Sequence, residues 1–114
     1  MDQTSAKRTV KYLAVCKDPA VFRQVVQSAP DSVVKSICNA SLNAISGDVV
    51  LTDAQLKHLR KFRKSVIYLT LKTVPLPRKR ALLLSKDEQA GGFAFVPLLL
   101  GAALGSLGSS FLAQ

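Results

Sequence analysis

The chain has 114 residues, enough for one small domain and too few for two large lobes with a catalytic cleft between them. Sixteen Lys and Arg against seven Asp and Glu give a formal charge of +9 and a pI near 10.0, which favours a polyanion or an anionic membrane as partner, while an apolar share of 48% excludes wholesale disorder. One histidine, His58, and two cysteines, Cys16 and Cys38, without CxxC or HxxxH spacing, exclude a conventional zinc site, and so sparse a cysteine usage excludes a disulfide-dense scaffold.

The first 20 residues hold no apolar run of the kind that a secretion signal requires, so both thiols are expected to be reduced and packed. A first helix is expected over residues 4–17, on a narrow stripe of Val10, Leu13, Ala14 and Lys17. Asp18 followed by Pro19 predicts an N-cap and first turn for a second helix, with Phe22, Val25, Val26 and Ala29 on its apolar side. Pro30 ends it. Asp31 or Ser32 can cap a third helix, whose stripe of Val34, Ile37, Cys38, Leu42 and Ile45 places Cys38 on the buried face, and Gly47 supplies the stop.

Thr52-Asp53-Ala54-Gln55 has the form of a capping box directly before a helical run. Leu56, Leu59, Phe62, Val66 and Leu69 recur at three or four residues, and Lys57, Arg60, Lys61 and Lys64 recur on the opposite flank. Residues 65–71 are rich enough in β-branched and aromatic side chains to pass as a strand. No partner strand of similar quality exists, so the spacing predicts continued helix to about Lys72. Pro75 and Pro77 break the chain, and residues 78–86 can form one more short helix. The fold class expected is mainly α, a small bundle of short amphipathic helices with a hydrophobic C-terminal helix. By composition the chain divides into an amphipathic helical region (1–50), a basic helical region (51–88) and a Gly-rich hydrophobic tail (89–114).

Two features bear on function. Residues 57–86 hold ten Lys or Arg and no acid, so like charges one turn apart repel and gain from an external anion. The expected ligand is a phosphate backbone, contacted by Lys57, Arg60, Lys61, Arg63, Lys64, Arg78, Lys79 and Arg80. Duplex DNA bound without sequence preference fits best: no reading motif is present, no Asn or Gln follows Gln55 in this helix, and aromatic interleaving for single strands is thin. A solvated cationic face with no specific partner is the plainer alternative.

The tail is the second feature. Residues 93–113 are uncharged throughout and, as one helix, would span about 30 Å, the depth of a bilayer's hydrocarbon core. Phe93, Phe95, Leu98, Leu99, Leu100, Gly101, Leu104 and Gly105 are the candidates for membrane insertion or helix packing, the two glycines forming a GxxxG. Three readings stay open: a helix buried within the chain or in a homo-oligomer, a membrane segment flanked by the cations of residues 78–86, or a flexible tail. For catalysis the sequence offers no Ser-His-Asp pattern, no paired carboxylates and no phosphate loop, so no enzymatic role and no cofactor are expected.

The order of parts carries a resemblance. A helix over residues 36–47 leads to the Leu51-Thr52 cap, then to Gln55-Leu56-Lys57-His58-Leu59-Arg60-Lys61-Phe62-Arg63-Lys64 and Pro77-Arg78-Lys79-Arg80-Ala81-Leu82-Leu83-Leu84. A Gly91-Gly92-Phe93 junction then opens the Pro97-Leu98-Leu99-Leu100-Gly101 tail. Over residues 19–114 this resembles the small basic proteins of Polinton (Maverick) elements and adintoviruses, and its C-terminal third is similar to the adenovirus core protein X precursor. The resemblance implies a virion protein, present in the virion and the host nucleus, that condenses or tethers the genome while its tail contacts capsid or membrane. Apart from that resemblance, an intracellular, membrane-associated location is the alternative.

Overall fold

A computed structural model describes residues 3–87, 91–108 and 110–112. Its described residues form seven α-helices and one 3-10 turn, with no strand: α1 (Gln3–Val15), α2 (Pro19–Ser28), α3 (Asp31–Ile45), α4 (Asp53–Arg60), α5 (Arg63–Thr70), α6 (Leu76–Leu84), the turn Gly92–Ala94, and α7 (Val96–Leu107). The expected class, a small helical bundle closing on a hydrophobic helix, is the one observed.

Local chemistry sets most boundaries. The Asp18 carboxylate accepts from the N–H groups of Ala20 (2.9 Å) and Val21 (3.3 Å), with Pro19 at the first helical position of α2. The end of α3 is closed by Gly47 at φ +83°, where the Asp48 N–H donates to Asn43 O (2.9 Å) and the Gly47 N–H to Ala44 O (3.3 Å). That pair of bonds needs a left-handed residue, which glycine adopts without steric cost.

At the centre lies α3, packed against α1, α5, α6 and α7, while α7 also lies along α1 and α6 along α2. Its buried face is Val33, Val34, Ser36, Ile37, Ala40 and Ser41, a set rotated from the expected stripe. Leu42 and Ile45, expected inside, are each about half exposed (50% and 51%), and Cys38 is only partly buried. The cause is crowding: a helix with four neighbours takes small side chains where they approach, and the Ser36 and Ser41 hydroxyls donate to the carbonyls of Ser32 (2.8 Å) and Ile37 (3.0 Å).

The expected continuous helix over residues 52–72 is instead two helices, turned at Lys61–Phe62, where Phe62 leaves helical geometry at φ −112°, ψ 22°. The turn lets α5 lie along α3 while α4 sits over the start of the tail.

The tail supplies the core. Phe95, Val96, Leu99, Leu100 and Ala103 are fully buried, and they share one apolar cluster with Val10 and Leu13 of α1, Phe22 of α2, Ile37 of α3 and Leu69 of α5. All three compositional regions therefore meet in a single core. The Cα radius of gyration, 12.5 Å, is near the ~13 Å expected of a compact chain of this length, as it must be if the tail folds inward.

Candidate nucleic-acid interface

The helix that carries the densest cations is fixed at its start by a complete capping box. Thr52 Oγ1 accepts from the Gln55 N–H (3.1 Å), and Gln55 Oε1 accepts from the Thr52 N–H (2.9 Å), as the sequence predicts. Asp53 lies in the first turn and Lys57, His58 and Arg60 in the last, so the charges also complement the helix dipole.

The opposite face of this segment is tied down by aromatic contacts. His58 Nε2–H donates to Ala94 O (2.8 Å), which fixes the proton on that nitrogen because a carbonyl can only accept. Its ring lies 5.4 Å from Phe62, and Phe62 stacks on Phe95 at 5.6 Å with an interplanar angle of 26°. Leu59, Phe62, Val66 and Leu69 are buried as the stripe predicts, whereas Leu56 is exposed.

With one face anchored, the other presents charge. Lys57, Arg60, Lys61, Arg63 and Lys64 are all exposed, and no acidic side chain among the described residues forms an ion pair with them. Arg60 and Arg63 also flank an apolar groove of about 260 Å³ beside Ile45, Leu56 and Ile67. Because of the Lys61–Phe62 turn, Arg60 and Lys64 stand on two helices rather than one turn apart on the same helix.

The remaining three candidates do not join this patch as equals. Arg78 is exposed, but on α6. Lys79 is buried (8% exposed) because α6 turns its Lys79–Leu83 face inward. Arg80 reaches from α6 to the far end of α2: its Nη1 donates to Val26 O (2.6 Å) and Ala29 O (2.7 Å), and its Nη2 to Asp31 Oδ1 (2.9 Å). The guanidinium thus caps the carbonyls ending α2 and ties them to the first residue of α3. Of the eight expected phosphate contacts, Arg80 is therefore held by bonds within the fold and Lys79 is largely covered, and nothing in a run of Pro-Arg-Lys-Arg distinguishes them from surface cations.

The tail candidates divide as well. Phe95, Leu99 and Leu100 are fully buried, Phe93, Leu98 and Leu104 are partly buried, and Phe93 meets Phe22 edge-on at 5.6 Å. Gly101 and Gly105 are exposed, with open space where a Cβ would stand, so the GxxxG face packs against nothing among the described residues. A bilayer-spanning helix over the uncharged stretch is not formed: α7 has 12 residues, about 18 Å, it begins after the 3-10 turn at Phe95, and it is capped by Gly108. Among the described residues no helix is long and apolar enough to cross a membrane. Packing, the first of the three readings for the tail, is what the large side chains do.

Comparisons with protein-family models, curated proteins and solved structures give no match for this chain.

Proposed function

We propose that this protein binds nucleic acid non-specifically, neutralising the backbone of duplex DNA through Lys57, Arg60, Lys61, Arg63 and Lys64, with Arg78 as an outlying contact. The observation that carries the reading is the exposure of these five cations over eight consecutive residues with no ion-pair partner among the described residues. Five like charges held close together raise one another's free energy, and a polymer of phosphates relieves that repulsion while releasing its condensed counterions.

The aromatic side chains of this segment are directed inward, so the exposed surface offers charge and no stacking platform, which suits a duplex better than a single strand. The resemblance to basic virion proteins names the polyanion as a packaged genome. In this reading any capsid contact by the tail falls to the exposed strip of α7 around Gly101 and Gly105, because Val96, Leu99 and Leu100 are in the core.

Fluorescence anisotropy of a labelled 20-base-pair duplex, titrated at several salt concentrations, tests the proposal. Five phosphate contacts predict a slope of log K against log salt of about −4.5, alike for duplexes of unrelated sequence. Absence of binding in dilute buffer, or a slope shallower than about −2, removes the proposal.

A further inference from the structure

The apolar stripe of α3 is left half uncovered. Cys38, Leu42 and Ile45 recur at four and three residues on one side of the helix, and Leu42 and Ile45 are half exposed. On α5, packed alongside, Arg63, Ile67 and Thr70 recur in the same way, so the two sides border one seam. The groove of about 260 Å³ opens at one end of it, where α4 turns away at Lys61–Phe62. Leu59 and Val66, which are buried, and Ile45, Leu56 and Ile67, which are exposed, line that groove. At the other end a second concavity, of about 210 Å³, is lined by Leu42, Leu76 and the exposed Lys35 and Lys72. No acidic residue lines either one, and Arg60 and Arg63 have no ion-pair partner among the described residues.

Apolar side chains held in water along two turns of a helix, with charge around them, mark a surface that another molecule covers. We infer that the α3–α5 seam is a docking groove for an acidic amphipathic helix of a partner protein, whose apolar side covers Leu42, Ile45, Leu56 and Ile67 while its carboxylates meet Arg60 and Arg63. A helix has the right pitch: Cys38 to Ile45 covers about 10 Å, two turns, and anchors at i, i+3, i+4 and i+7 of a partner helix repeat over the same length. A second copy of this chain fits poorly, since each carries +9 and would set cations against cations. A duplex has phosphates for the arginines but no apolar side to lay on the isoleucines. A small-molecule site would enclose its ligand, whereas Ile45, Leu56 and Ile67 stand 36% to 51% exposed. Arg60 and Arg63 also belong to the proposed nucleic-acid face, so the partner helix and DNA compete for them, but the docking does not rest on that reading.

Fluorescence anisotropy of a labelled peptide with leucines at i, i+3, i+4 and i+7, glutamates beside them and alanine elsewhere, titrated with the full chain in the absence of DNA, tests the docking. Saturable binding is expected, and none by a peptide of the same composition whose leucines do not share a side. Ile45→Gln/Ile67→Gln is expected to weaken peptide binding about tenfold while leaving affinity for the duplex unchanged, and Arg60→Gln/Arg63→Gln to weaken both. Both variants change exposed side chains and should keep the parent's thermal melt, and on the parent itself the peptide should shift amide NMR signals in residues 42–45 and 56–67. No saturable binding up to about 1 mM, equal binding of a peptide with glutamine in place of glutamate, or full affinity in Ile45→Gln/Ile67→Gln overturns the inference. The same amide shifts produced by phosphatidylglycerol vesicles and not by the peptide overturn it in favour of a lipid surface. Peptide binding by a parent chain that binds no duplex upholds the groove and removes only the nucleic-acid reading.

Discussion

Replacing Arg80 by methionine removes a guanidinium that bonds two backbone carbonyls and one carboxylate while leaving most of the side chain's bulk in place. The side chain is 19% exposed and the carbonyl contacts are short, 2.6 and 2.7 Å, so each falls in the class of charge-assisted bonds worth about 1.5–3 kcal/mol. The Asp31 partner is 70% exposed, which screens the third contact down to about 0.2–1 kcal/mol. Because the contacts share one group they do not add fully, and a loss of about 3 kcal/mol is expected. At about 4 °C per kcal/mol for a domain of this size, that is a fall in Tm of about 12 °C, read by circular dichroism at 222 nm with urea titration as a check. Arg80→Lys should recover only part of the loss, since one ammonium cannot span all three acceptors. Asp31→Asn should cost less than about 1 kcal/mol. An Arg80→Met protein within about 1 kcal/mol of the parent, or an Asp31→Asn protein equally destabilised, refutes the assignment of Arg80 to the fold.

Removing residues 91–114 deletes Phe95, Val96, Leu99, Leu100 and Ala103 from the core, so the truncated chain should lose its cooperative thermal transition in calorimetry; a sharp transition would show the tail to be dispensable. Gly101→Ala and Gly105→Ala enter open space inside a helix and should each stabilise by about 0.5–1 kcal/mol in urea denaturation. Destabilisation there would place the GxxxG in a contact outside the chain. Gly92→Ala should act the other way, because a Cβ would stand 2.9 Å from Leu83 Cδ2 and 3.0 Å from its Cα, at a cost of about 1–3 kcal/mol by the same assay.

How much of this was legible in the sequence follows from where the information is local. The Asp18-Pro19 cap, the Thr52–Gln55 box and the Gly47 stop each act through bonds within five residues, and all three appear where their chemistry puts them. The break at Lys61–Phe62 was illegible because Lys61 keeps nearly helical dihedrals (φ −64°, ψ −24°) and neither glycine nor proline marks the turn; the apolar spacing runs through it undisturbed. The buried face of α3 departs from the apolar stripe because four neighbours, not one, decide which side chains are covered, and small Ser and Ala positions carry no hydrophobic signal. Of the candidate site, the exposed run over residues 57–64 was readable from charge alone. That Arg80 closes α2 and that Lys79 shares a pocket with Lys35, 44 positions away, depends on long-range packing that periodicity does not encode.

The division of the cations into an outward group and an inward group is tested most directly by comparing salt slopes for duplex binding. Changing Lys57, Lys61 and Lys64 together to Gln should flatten the slope by about 2.7 units, whereas Arg80→Met, assayed below its lowered Tm, should leave it unchanged. Equal slopes for the triple variant and the parent, or a flattening by Arg80→Met as large as that of the triple variant, would contradict the proposed interface.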